Sequence, residues 1–411
     1  MLINAKNKTN TGIQYDLTDS QDLLVGKNIT VQSLDSDAIS GEGKNQEVTI
    51  LGTVIGDDDG VELSGNRAIV QIEKSGTLFS GDDGIVLGGL NVTVINAGVI
   101  NSNFWAINLG GEGAGTVNII NSGSMVATLN VIDSNVDQKI VLRNSGLMSS
   151  ETELVIDGST LVDKIFNTGI MEGNLDLNEG NDLFDGRGGI VFGTVLGDVG
   201  NDRFVLGSSA DDINGGADID TLDFRNGGGV KVALDGGFAN GGANAKGDTY
   251  IGIENIYGSL NGADSLQGDT GNNELRGYGG KDTLLGGAGN DILIGGTGVD
   301  TITTGTGTNQ IRFGSLSDIG DKLTDFGNAF DDIWINGTAF GGNLTDGFLD
   351  SSRFSTGTDN RADDGNDRFI YNTATDTLWF DRDGNKSGFT SVMVADNLGG
   401  NNITAADIFI F

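Results

Sequence analysis

The stretch GGAGNDILIGGTGVDTI, Gly286 to Ile302, holds glycine or a small polar residue at most positions and places an aspartate two residues before an aliphatic once every nine residues. Read outward, the frame G-G-x-G-x-D-x-U-x, with U a large aliphatic, fits six consecutive copies from Ser259 to Arg312. The sixth positions are Asp264, Asn273, Asp282, Asp291, Asp300 and Asn309, and the eighth are Leu266, Leu275, Leu284, Leu293, Ile302 and Ile311. An earlier run in the same frame carries Asp202, Asp211 and Asp220, followed by Phe204, Ile213 and Leu222. Asp182, in NEGNDLF, precedes Asp202 by 20 residues and is expected to stack over it. Turns alone need neither a fixed nine-residue register nor a carboxylate at the sixth place, so an unbroken series is a fold signal and not low complexity.

These repeats resemble those of the repeats-in-toxin (RTX) family of secreted calcium-binding proteins. The resemblance covers roughly residues 177–411, since GDTYIGIENIYGS and NDRFIYNTATDTLWFDRDGNKSG are also similar to segments of that family. It implies a parallel β-roll in which six residues turn and three form a strand, so that two repeats close one coil and repeats n and n+2 share an edge. Asp264, Asp282 and Asp300 then line one edge, and Asn273, Asp291 and Asn309 the other. Glycines such as Gly277, Gly286 and Gly295 let carbonyls point inward without a Cβ clash. Carboxylates stacked about 5 Å apart repel unless a cation lies between them, and a hard oxygen cage suits Ca2+ better than magnesium. The all-aspartate edge is expected to bind calcium more tightly. The aliphatics are expected to form the core.

The chain has 411 residues, with 70 Gly, no Pro, no Cys and no His, and a formal charge of -35. Without cysteine or histidine there is no disulfide framework, no zinc site of the common kind and no Ser/His/Asp or Cys/His triad. So much negative charge repels itself unless counterions neutralise it, and no nucleic acid or anionic membrane partner is expected. The start, MLINAKNKTNTGIQYDL, lacks an apolar signal-peptide core, and no apolar run is long enough to span a bilayer. The resemblance implies export by a type I ABC exporter reading an uncleaved C-terminal signal. The end, NNITAADIFIF, is similar to such a signal and also suits a last strand of a cap.

Ahead of these repeats a second period appears. Gly52, Gly76, Gly98, Gly123, Gly146 and Gly169 are spaced by 24, 22, 25, 23 and 23 residues and are flanked by alternating Val and Ile. Short alternating strands at this period suit a right-handed parallel β-helix, with coils about 4.8 Å apart. Asn96, Asn121, Asn144 and Asn167 each stand two places before a marker glycine and should form an amide ladder.

Parallel β-helices host polysaccharide lyases, epimerases and glycosidases. The paired aspartates of GDDDGVEL and SGDDGIVL, Asp58 with Asp82 and Asp59 with Asp83, are the candidate acid–base residues, and SGDDGI resembles a segment of β-helix pectin hydrolases. The histidine of those enzymes has no counterpart. DRDGNKSGF, from Asp381, departs from an EF-hand at Lys386 and Val392, so a hairpin turn at Asp383-Gly384 is expected.

The expected architecture is all-β. An N-terminal cap (1–27) leads into a parallel β-helix (28–176), a short first roll (177–224), a connector (225–258), a main calcium-binding β-roll (259–313) and a C-terminal β cap (314–411). The expected role is a secreted binding or structural protein of the cell surface or matrix. Its partners would be calcium and polysaccharide, or further copies of itself by self-association, without membrane insertion. A lyase or hydrolase carrying the RTX repeats as an export module is the alternative.

Overall fold

The structure is a computed structural model. It describes the chain except residues 112, 114, 135, 136, 328, 329, 387, 397 and 399–402. Asn401 and Asn402 of the terminal stretch and Ser387 of the EF-hand-like segment therefore lie outside the described residues. The chain divides into two compact units, Met1–Asp220 with Asp248–Gly252, and Thr221–Gly247 with Ile253–Phe411.

The first unit is a parallel β-helix that passes into a β-roll. Each helical coil places one strand in one sheet and two in the other, as with Glu47–Ile50, Thr53–Gly56 and Val61–Leu63. The next coil stacks in parallel and in register, Val48 on Val70, Val54 on Leu78 and Val61 on Ile85. Alternation turns every second side chain inward, and Val48, Ile50, Val54, Val61, Leu63, Val70 and Ile72 are fully buried. The pairing starts at once: Leu2–Asn4 lies on Asp22–Val25, and Tyr15–Leu17 on Ile39–Gly41, within the segment expected as a cap.

The marker glycines and asparagines work together at one corner. A Cβ on Gly123 would stand 2.1 Å from the Gly98 carbonyl, and one on Gly146 2.0 Å from that of Gly123, so only glycine allows the coils to approach. Beside them Asn96 donates to Asn121 (2.9 Å), Asn121 to Asn144 (2.8 Å) and Asn144 to Asn167 (2.9 Å). Each Oδ1 also accepts from the amide of its own marker glycine. The ladder thus satisfies buried amides within the protein, as a structural feature must.

In the second unit the strands shorten to three residues and the stacking interval becomes two repeats. Leu266, Leu284 and Ile302 stack in one sheet, and Leu275, Leu293 and Ile311 in the other. All six are buried and form the thin core. Part of the segment expected as a connector is also strand: Val230–Ala233 pairs with Ser265–Gln267 and with Gly241–Gly242.

Beyond the repeats, Asp331–Ile335 continues the sheet from Asn309–Phe313, and Ile408–Ile410 adds to it. An antiparallel set follows: Phe369–Asn372 pairs with Thr377–Phe380, which pairs with Val392–Asp396. The last of these lies parallel to Asp321–Leu323. The antiparallel strands Thr377–Phe380 and Val392–Asp396 are not joined by a two-residue turn at Asp383-Gly384, since their pairing closes between Phe380 and Val392; Gly384 has φ 68°. The reason is local: Asp381 Oδ1 accepts from the Asp383 amide, and the Asn385 amide donates to the Asp364 carbonyl, holding the loop against the 363–365 segment.

Candidate calcium centre

The copies from Gly277 onward build the same turn. Their second and fourth residues adopt positive φ, as at Gly287 (108°), Gly289 (110°), Gly296 (90°) and Gly298 (141°), and Tyr278 does so at 68° in the second place of its copy. The first glycine is needed for space. A Cβ on Gly277 would lie 2.3 Å from Asp282 Oδ2 and 2.6 Å from the Gly295 carbonyl oxygen. On Gly286 it would meet the Thr304 carbonyl at 2.3 Å and Asp291 Oδ2 at 2.5 Å, and on Gly295 it would meet Asp300 Oδ2 at 2.4 Å. A carboxylate oxygen and a carbonyl oxygen from the next coil therefore converge where a side chain would otherwise sit.

The aspartates of one edge are tied coil to coil. The Asp264 amide donates to Asp282 Oδ1 (2.8 Å), that of Asp282 to Asp300 Oδ1 (2.8 Å), and that of Asp300 to Asp321 Oδ1 (2.9 Å). On the other edge Asn273 donates to Asp291 and Asp291 to Asn309, both at 2.9 Å. In the first unit the row is Asp163, Asp182, Asp202 and Asp220, each amide donating at 2.7 Å to the next Oδ1. Asp182 thus stacks over Asp202. Asp211 lies on the opposite edge and donates to Asp248 Oδ1 at 3.1 Å.

This arrangement uses one oxygen of each aspartate and leaves the second to its surroundings. Oδ2 of Asp182, Asp202, Asp211, Asp282, Asp291 and Asp300 is buried without a hydrogen-bond donor. Burial accordingly pushes these carboxyls up, against the pull of the donated amides or, at Asp211, of the Ser209 hydroxyl. Asp182 rises to about 8, Asp282 and Asp211 to about 7, and Asp202 and Asp291 to about 6. Unpaired buried carboxylate oxygens beside converging carbonyls form a hard, anionic oxygen set, which suits a calcium ion.

Not every aspartate of the rows is open. Ser259 heads the first copy in place of glycine, and its amide donates to Asp264 Oδ2 at 2.7 Å while its hydroxyl reaches both carboxylate oxygens at 3.1 Å. Ser159 closes Asp163 in the same way, at 2.8 Å from both its amide and its hydroxyl. Thr304 heads the last copy, and its hydroxyl donates to Asp331 Oδ2 at 3.0 Å, joined there by the Gly327 amide at 2.8 Å. Serine and threonine donors thus occupy the lone pairs that elsewhere face no donor.

Asp163, Asp248, Asp321 and Asp331 were not singled out by the nine-residue frame. Each nonetheless precedes an inward residue by two places, Ile165, Tyr250, Leu323 and Ile333. The D-x-U pair without its glycines was the available signal.

The paired aspartates of the β-helix form a third ladder. The Asp59 amide donates to Asp37 Oδ1 (3.3 Å), the Asp83 amide to Asp59 Oδ1 (3.1 Å) and the Trp105 amide to Asp83 Oδ1 (3.1 Å). Asp83 Oδ2 accepts from Asn108 at 2.7 Å. Asp58 and Asp82 stand beside this ladder, within reach of Asp59. Burial, reinforced by Asp83, Asp37 and Asp58, raises Asp59 to about 7 despite the Asp83 amide. Asp59 and Asp83 therefore hold turns together through main-chain amides.

Parallel coils with glycine-lined turns over rows of buried aspartates define a calcium-binding β-roll appended to a parallel β-helix. A family model for the RTX calcium-binding nonapeptide repeat matches residues 193–222, 259–293 and 285–319, in four copies. The chain thus carries RTX calcium-binding repeats over these residues. No match is found among curated proteins.

Proposed function

We propose that this is a secreted protein whose β-roll folds when calcium fills the turns outside the cell, presenting the β-helix as an elongated binding or structural surface. The observation that carries the reading is the set of buried carboxylate oxygens without donors. Asp182, Asp202 and Asp211 in the first unit, and Asp282, Asp291 and Asp300 in the second, would hold the ions. Gly277, Gly286 and Gly295 would keep the space clear and supply carbonyls, and Asp220 belongs to the same row. Asn273 and Asn309 would contribute amide oxygens at most, and Asp264 is closed by Ser259. Bound calcium supplies the positive charge that lets stacked carboxylates remain ionised together.

Extracellular calcium modules have dissociation constants of about 10⁻⁴ to 10⁻³ M, so such turns would stay empty in cytosol and fill outside. Passage through a type I ABC exporter is what the likeness of the repeats to RTX proteins implies, and the charge of -35 favours an unfolded chain where calcium is scarce. Among the described residues no helix is long and apolar enough to cross a membrane. The experiment is circular dichroism of the full chain with chelator and with millimolar calcium. A β-signal that grows on adding calcium supports the reading, and an unchanged spectrum refutes it. A glycan array in calcium, run beside lyase and hydrolase assays on acidic polysaccharides, separates binding from catalysis. Turnover abolished by Asp82→Asn would establish the enzyme instead.

A further inference from the structure

The outer face of one sheet in the second unit carries a continuous row of side chains. Tyr257 pairs with Arg276 and Arg276 with Ile294; the pairing of Leu293 with Ile311 sets Ile294 against Arg312, which pairs with Trp334. Trp334 pairs with Phe409, and Phe409 with Phe348 on an antiparallel strand. Their neighbours Leu275, Leu293, Ile311 and Ile333 are the buried ones, so the row faces out. Strands lie about 4.8 Å apart, and from Tyr257 to Phe348 the row runs for roughly 30 Å.

Aromatic rings and arginines alternate with contact along it. Arg276 lies over the Tyr257 ring at 5.2 Å and Arg312 over Trp334 at 5.0 Å. Trp334 stacks on Phe409 with centroids 4.2 Å apart, and Phe348 meets Phe409 edge-on at 5.3 Å. Phe348 is 62 % exposed, and Phe411, beside Trp334, is 41 % exposed. The two arginines differ in charge balance. Arg276 is paired with Glu274, whereas Arg312 donates from Nε and Nη2 to the neutral Gln310 Oε1, and among the described residues no carboxylate forms an ion pair with it. In a chain with 23 basic residues against 58 acidic ones, an arginine without a carboxylate, set among exposed rings, is a local reversal of the protein's charge.

We propose that this row is a docking surface for a polysaccharide in which neutral sugars separate single carboxylates. The site lies on the outside of the roll and the strands that follow it, and uses no aspartate of the turns. A sugar ring offers one apolar C–H face and a polar rim, so it can lie on Trp334, Phe409 and Phe348 with its hydroxyls in water. The guanidinium donors of Arg312 that Gln310 leaves unused then take a carboxylate by charge-assisted hydrogen bonds. A straight row on a stacked solenoid suits a linear chain. Sparse charge is required, because the adjacent outward row holds Glu274 and Asp332 and the whole chain carries -35. A polymer charged at every unit, whether polyuronate or nucleic acid, would be repelled.

The test is titration calorimetry of the full chain in millimolar calcium with three sets of short oligosaccharides. Those from deacylated gellan have neutral sugars between their carboxylates, cello-oligosaccharides are neutral, and galacturonate oligosaccharides are charged on every sugar. The gellan series is expected to bind, and the other two to bind roughly tenfold more weakly or less. Arg312→Gln should weaken the gellan series by about tenfold, to the level of the neutral one, without changing calcium stoichiometry. Phe348→Ala, at an exposed position, should weaken the gellan and neutral series alike, and decides if Arg312→Gln fails to fold. No binding of the gellan series by the parent, tighter binding of the galacturonates, or unchanged affinity in the folded variants overturns the site. Self-association in sedimentation velocity that Phe348→Ala abolishes would also overturn it, since the row would then be a contact between copies.

Discussion

Asp282→Asn should have opposite effects with and without calcium. Asp282 is 2 % exposed, spends Oδ1 on the Asp264 amide and has no donor for Oδ2. Burial first, then Asp300 and Asp264, lift its carboxyl from 3.8 to about 7. Below the unfolded value both states are protonated and burial carries no electrostatic penalty. As pH rises from there through the folded value the native state holds the extra proton, so stability without calcium falls and reaches its floor above that value. The full penalty is roughly 4 kcal/mol, an upper limit because water entering an empty turn would screen the charge.

Asparagine accepts the same amide but carries no charge. In chelator at pH 8 the variant should therefore be more stable than the parent, by up to this amount. In saturating calcium it should be less stable, having lost a ligand. Near pH 4 without calcium the two should coincide. Urea denaturation followed by circular dichroism, at both pH values with calcium and with chelator, measures all of these. A variant less stable than the parent in chelator at pH 8 would refute the argument, because Asp282 would then be compensated by something other than a cation.

Other outcomes follow from the same geometry. Proton competition should weaken calcium binding on acidification: a carboxylate at about 7 loses roughly tenfold in affinity between pH 8 and pH 6, which calorimetry at the two values reads directly. Gly295→Ala should abolish calcium-induced folding of its turn, since the new Cβ would fall 2.4 Å from Asp300 Oδ2, and calcium titration followed by circular dichroism checks it. Asn121→Ala should destabilise the β-helix by about 1–3 kcal/mol by orphaning its partners in the ladder. Thermal melts should show that loss equally with and without calcium. Ser259→Ala should remove only the hydroxyl from Asp264, whose Oδ2 keeps the residue-259 amide and whose Oδ1 keeps the Val230 amide, so the midpoint of a calcium titration should stay where it is.

Sequence pattern alone was informative wherever a period recurred. The shift of two repeats between stacked strands, the single aliphatic core of Leu284 and Leu293, and the Asn96 to Asn167 ladder all follow from it, because a solenoid brings residues a fixed interval apart into contact. The pairing of Asp182 with Asp202 was legible for the same reason. Where insertions break the interval, as between Asp211 and Asp248 or Asp300 and Asp321, periodicity carried no information. Only the backbone path shows those residues to be neighbours.

The sequence by itself determined a roll of calcium-binding repeats whose two edges differ in carboxylate content, because spacing and residue type suffice when each coil repeats the last. The tertiary structure decided which aspartates remain open. Asp264 looks equivalent to Asp282 in the motif, yet the amide and hydroxyl of Ser259 saturate it, while Gly277 leaves Asp282 bare. Asp331 is closed by Thr304, 27 residues earlier. The physical reason is that a lone pair is satisfied by whichever donor the fold brings within about 3 Å, and that depends on turn geometry and coil stacking.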